Sequence, residues 1–123
     1  MRIFYYLFLI LFTTTAYADV FYCSSSASVG FRTTNGKYKE TSFKTSKFKA
    51  KIDFSKKTFI SNDLQMTDSA CTSMFTDGIT CVSDGYSINI NKKNFKFVLS
   101  KAYGYVIGKK DTVSISIGTC DKF

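Results

Sequence analysis

The chain has 123 residues, a formal net charge of +8, four cysteines and no histidine, proline or tryptophan, which is enough for one compact domain and too little for two. Without histidine it lacks the ready proton carrier near neutral pH and the commonest metal ligand, so histidine-driven catalysis and mixed Cys/His metal sites are not expected. The basic balance turns attention to anionic partners instead.

The amino terminus reads Met1-Arg2, then an apolar block from Ile3 to Phe12, then three threonines and Ala16-Tyr17-Ala18. A short positive start, a hydrophobic run and a small-x-small ending are the marks of a cleavable secretory signal, with the cut expected after Ala18. The block is too short to span a hydrocarbon core, which takes roughly twenty helical residues. A lipid anchor would need a cysteine at the cut, but Cys23 follows the bulky Phe21 and Tyr22. The expected organisation is a signal peptide over 1–18 and a single β domain over 19–123, periplasmic or secreted.

Val20 to Ser24 is apolar and aromatic and reads as the first strand, which Ser24-Ser25-Ser26-Ala27-Ser28 either prolongs or leaves. Val29 to Arg32 reads as a second strand. It is ended by Asn35-Gly36, the strongest two-residue hairpin signal, although the flank Tyr38 to Phe43 alternates poorly. The clearest pattern follows: Phe48, Ala50, Ile52 and Phe54 alternate with Lys47, Lys49, Lys51 and Asp53. A strand places successive side chains on opposite faces, so one face of this stretch is apolar and the other mostly lysine. Ser55-Lys56-Lys57 is a turn into Thr58-Phe59-Ile60-Ser61, and so short a return forces an antiparallel hairpin.

Asn62 to Ser73 carries no clean period. Asp63 to Met66 reads as a strand or a helical turn, and Asp68-Ser69-Ala70 as the cap of a short helix. Alternation resumes with Ile79 to Val82, Tyr86 to Ile90, Phe95 to Leu99, Tyr103 to Ile107 and Thr112 to Ile117, separated by turn residues. Strands recurring about every ten residues predict an all-β fold, a small antiparallel barrel or sandwich of about eight strands. If the first and last strands pair, the sheet closes and its exposed edges disappear.

Cys23, Cys71, Cys81 and Cys120 all follow the expected cut, and an even count in an exported chain reads first as a disulfide framework. Three pairings are available. Cys71 with Cys81, flanking the Thr76-Asp77-Gly78 turn, and Cys23 with Cys120, joining the two ends, are favoured. Cys120 shares the parity of Ser114 and Ser116 rather than of Ile115 and Ile117, so an inward Cys120 calls for a bulge at Gly118.

Charge is unevenly placed. Residues 32–57 hold nine basic and two acidic side chains, residues 58–91 hold four aspartates and no lysine or arginine, and residues 92–122 hold seven lysines and two aspartates. Lys47, Lys49 and Lys51 are the candidate basic contact face, against the plainer reading of a solvated strand face or a lysine-protected edge. Tyr103 and Tyr105 are a candidate aromatic surface for stacking on rings, against a core role through alternation. Glu40 is the only glutamate and most aspartates sit beside turn residues, where they bond their own backbone. The chain is therefore expected not to be an enzyme, and to need no metal or cofactor. Its expected partners are an envelope component or another exported protein, or an anionic polymer or membrane surface.

Two resemblances add to this. Lys47-Phe48-x-x-Lys51-Ile52-Asp53-Phe54 and the closing Ile117-Gly118-Thr119-Cys120-Asp121-Lys122-Phe123 make the chain similar to small exported proteins of AT-rich marine bacteria, which implies location rather than activity. Phe21-Tyr22-Cys23, some eight short strands and Cys120 resemble, more distantly, the periplasmic and lipoprotein inhibitors of c-type lysozyme, small barrels stapled end to end. The Ser-Gly-x-x-Tyr motif and tryptophan of that family are missing, so the resemblance implies no site residue here.

Overall fold

The computed structural model describes residues 19–74, 76–83, 85–106 and 112–123, the side chains of Tyr103 and Gly104 excepted. Nine strands form one antiparallel sheet: β1 (Asp19–Thr34), β2 (Lys37–Ser42), β3 (Lys47–Asp53), β4 (Thr58–Ile60), β5 (Ala70–Met74), β6 (Gly78–Ser83), β7 (Tyr86–Asn91), β8 (Lys96–Lys101) and β9 (Val113–Lys122). Eight follow the order β4-β3-β1-β9-β8-β7-β6-β5 and curl into a nearly closed barrel. β2 pairs with the far half of β1, continuing the edge that β3 occupies nearer the start. The first and last strands pair as expected, but the sheet does not lose its edges. The remaining opening lies between β4 and β5, which are consecutive in the chain.

β1 is one strand of 16 residues, so the serine-rich stretch prolongs it. At its end Asn35 (φ 51°) and Gly36 (φ 77°) both take left-handed backbone in a two-residue turn from Thr34 to Lys37. That is the hairpin type whose twist matches the flanking strands.

β3 follows its alternation. Phe48, Ala50 and Ile52 are buried while Lys47, Lys49 and Lys51 are exposed. The buried side packs into a core with Phe21, Phe59, Ile79, Ile88 and Phe97, in which Phe48 meets Phe97 edge-on at 5.2 Å. One end of the barrel is plugged by Phe21, Phe54 and Phe95, with Phe95 5.0 Å from Phe21.

β9 reverses the phase its composition suggests. Ser116 and Cys120 face inward and are buried, whereas Ile115 and Ile117 are 51% and 49% exposed. No bulge occurs at Gly118; the register shift falls on β1, between Ser25 and Ala27. The cause is the Cys23–Cys120 bridge, whose residues are directly opposed with Cα atoms 3.9 Å apart. Opposed residues share a face, so the inward Cys23 fixes Cys120 inward and Gly118 and Ser116 with it. Only small residues fit there. A Cβ on Gly118 would collide with the Ser24 carbonyl oxygen and lie 2.8 Å from Phe97 Cζ.

The poorly patterned stretch fills the opening. β4 pairs with β3 at three positions only, and the next groups on the β3 edge are satisfied by side chains: Ser61 Oγ donates to the Lys49 carbonyl (2.7 Å), and the Lys49 N–H donates to Asp63 Oδ2 (2.8 Å). Ser61 and Met66 exchange backbone hydrogen bonds of 2.9 Å, and Met66 is fully buried in the gap. Residues 62–73 hold no helix. Instead β5 begins at Ala70, because Cys71 must lie opposite Cys81 on β6, where the second disulfide forms with Cα atoms 4.0 Å apart.

The strand expected over Tyr103 to Ile107 is absent. Tyr103–Val106 forms a four-residue helix, α1, and residues 107–111 lie outside the described set. β8 already has β7 and β9 as neighbours, and β9 has β1, so no edge is left there for another strand to join.

Candidate functional site

The outer face of β1, β3 and β4 gathers the expected basic residues with apolar ones that the chain supplies from elsewhere. Strand register sets Lys47 opposite Ser24, Lys49 opposite Tyr22 and Lys51 opposite Val20, with Ile60 on the other flank of Lys51. The ring of Phe123, 88% exposed, meets Tyr22 edge-on at 5.4 Å, held there as the Phe123 N–H donates to the Val20 carbonyl at 2.9 Å. Val20, Tyr22, Lys49, Lys51, Ile60 and Phe123 line a shallow open groove, which Asp63 borders from the loop that caps β3.

Among the described residues two lysines are ion-paired, and the β3 lysines are among those that are not. Lys122 pairs with Asp19 at 3.1 Å and Lys93 with Asp77 at 3.3 Å, both near the surface. Among the described residues no carboxylate pairs with Lys47, Lys49 or Lys51. In an extended strand, side chains two residues apart stand about 6.8 Å apart. The face therefore presents three cations in a regular row, with an aromatic pair alongside.

The sequence reading placed the lysines and missed their companions. Alternation in the first strand already set Tyr22 opposite in phase to Phe21 and Cys23, so its outward position was readable; Ile60 and Phe123 had no such signal, since they join the face through pairing with β3 and β1. Of the second candidate, Tyr103 with Tyr105, the structure describes the side chain of Tyr105 alone. Tyr105 is 62% exposed at the end of α1 and meets Tyr38 of β2 edge-on at 5.1 Å, while the Tyr103 side chain lies outside the described set.

All four cysteines are bridged as the sequence suggested, and two formed disulfides point to an oxidising, non-cytoplasmic environment. Among the described residues no helix is long and apolar enough to cross a membrane, and no group of three or more Cys, Asp or Glu is placed to hold a metal ion. The chain matches no protein-family model, no curated protein and no solved structure.

Proposed function

We propose that the protein is an exported, non-catalytic binding module, periplasmic or secreted, which contacts an envelope component or another exported protein through the outer face of β1, β3 and β4. The observation that carries this reading is the unpaired row Lys47, Lys49 and Lys51 beside exposed Tyr22, Phe123 and Ile60. Aromatic side chains supply contact area and flanking cations supply orientation, which is the division of labour found in recognition surfaces. Support for binding over catalysis comes from the carboxylates. Asp53 accepts the Lys56 N–H and Asp63 the Lys49 N–H, while Asp19 and Asp77 pair with lysines, so four of them are committed to structure.

The even spacing of the lysines favours a second reading, an electrostatic binder of anionic polymer or membrane surface such as lipopolysaccharide or extracellular nucleic acid. A salt series on the disulfide-intact protein separates the two. Affinity for a polyanion should fall steeply with ionic strength through counterion release. A protein partner captured from envelope extract should stay bound over the same range and be lost from the K47Q/K49Q/K51Q variant. Retention of every captured component by that variant would remove this face as the contact surface.

A further inference from the structure

On β3 and β7 the outward strand positions are polar: lysines on the first, Ser87, Asn89 and Asn91 on the second. Another face of the barrel departs from that rule. Val29 and Phe31 in the far half of β1, Ile115 and Ile117 of β9 and Val98 of β8 all point outward, and each is between 36% and 55% exposed. Register joins them into one patch, since Val29 lies opposite Ile115, and Ile117 lies between Ala27 and Val98. The strands here are interior to the sheet, with a neighbour on either side, so their backbone groups are already paired. What covers this face must therefore pack on side chains rather than add a strand.

Size and charge point to a second copy of the chain as the occupant. Five large side chains exposed to this degree present apolar surface on the order of 400 Å², in the range where the largest patch of a monomer is often functional. A standard interface buries about 800 Å² on each partner, somewhat more than half of it apolar, so this patch with a polar rim supplies one side of such a contact. Two copies of a chain of net charge +8 repel each other over most of their surface. The patch itself carries no charge, which makes it a face on which they can meet. Its corners carry opposite signs: Glu40 of β2, across from Phe31, stands at one, and Lys96 of β8, two residues before Val98, at the diagonally opposite one.

We propose that the protein forms a two-fold dimer through this face. Such a contact is isologous, the same patch on both copies set against itself. An axis running diagonally across the patch near Ile115 places Glu40 opposite the partner's Lys96, Phe31 opposite the partner's Val98 and Val29 opposite the partner's Ile117. Each of these contacts occurs twice, and Ile115 meets its own counterpart beside the axis. The apolar side chains supply the attraction as their area leaves water, and the two rim ion pairs fix the orientation. The contact uses no residue of the β3 lysine face.

Sedimentation equilibrium of the disulfide-intact protein provides the test. Twice the monomer mass is expected as concentration rises through the micromolar range, and a protein still monomeric at about 0.1 mM overturns the proposal. I115K sets two like charges beside the axis and should leave a monomer. E40K and K96E should each weaken dimerisation about tenfold or more, because like charges then face each other across the rim. E40K/K96E exchanges the two signs and should restore it, while K47Q/K49Q/K51Q should dimerise as the parent does. All of these side chains face solvent, so thermal melts should find every variant folded. A dimer that survives I115K, or a sign exchange that fails to restore association, overturns the proposal. So does a monomer that binds neutral phosphatidylcholine vesicles and loses them in I115K, which assigns the face to a lipid surface.

Discussion

Phe48 is sealed inside the barrel between two solvent-facing lysines, and that contrast makes the sharpest test of the β3 face. Phe48→Ala should cost about 3 to 5 kcal/mol in urea unfolding, the range for emptying a buried aromatic position. K47Q/K49Q/K51Q should change stability by no more than about 0.5 kcal/mol per site. Unfolding by the lysine changes would mean that the strand faces the other way. Gly118 tests packing of a different kind. Gly118→Ala places a methyl against the Ser24 backbone and Phe97, so a loss of about 1 to 3 kcal/mol is expected from overpacking, read from the thermal midpoint. The lysine alternation was legible because β3 has one buried and one solvated face. The role of Gly118 was not, since what forbids its side chain belongs to a strand some ninety residues earlier in the chain.

At the scale of elements, the long hairpin β1–β2 follows from local chemistry and the pairing of β1 with β9 does not. Asn35-Gly36 names its own turn, and Gly36→Ala should cost roughly 1 to 2 kcal/mol, the penalty for left-handed backbone in a residue with a Cβ; an unchanged unfolding midpoint would mean that the turn adopts another form in solution. β9 shows the limit of reading a strand by its own pattern. Val113, Ile115 and Ile117 do share a face, but that face is outside, because the bridge at Cys120 sets the phase and β1 absorbs the mismatch in a bulge at Ser26. Likewise Tyr103 to Ile107 alternates like a strand, yet with both neighbouring edges taken the described part of it becomes a helical turn. Alternation reports a preference, and available partners decide.

For the molecule as a whole, the two disulfides should contribute unequally. In the chain-entropy model the Cys23–Cys120 bridge, with a sequence separation of 97, is worth about 4.7 kcal/mol, against about 3 kcal/mol for the short Cys71–Cys81 loop. Unfolding of C23S/C120S and C71S/C81S in urea should reproduce that order, and equal losses would show that residual structure in the unfolded chain already holds the ends together. The sequence by itself determined the all-β class, the Asn35-Gly36 hairpin and the inner and outer faces of β3, because each rests on neighbours in the chain; of three possible cysteine pairings it only favoured the one the structure shows. Only the tertiary structure decided that the opening falls between β4 and β5, that Met66 fills it, and that β9 turns its isoleucines outward. The same holds for the surface that carries the functional proposal: Tyr22 and Phe123 reach the lysine row through strand pairing between distant segments, which no local pattern in the chain encodes.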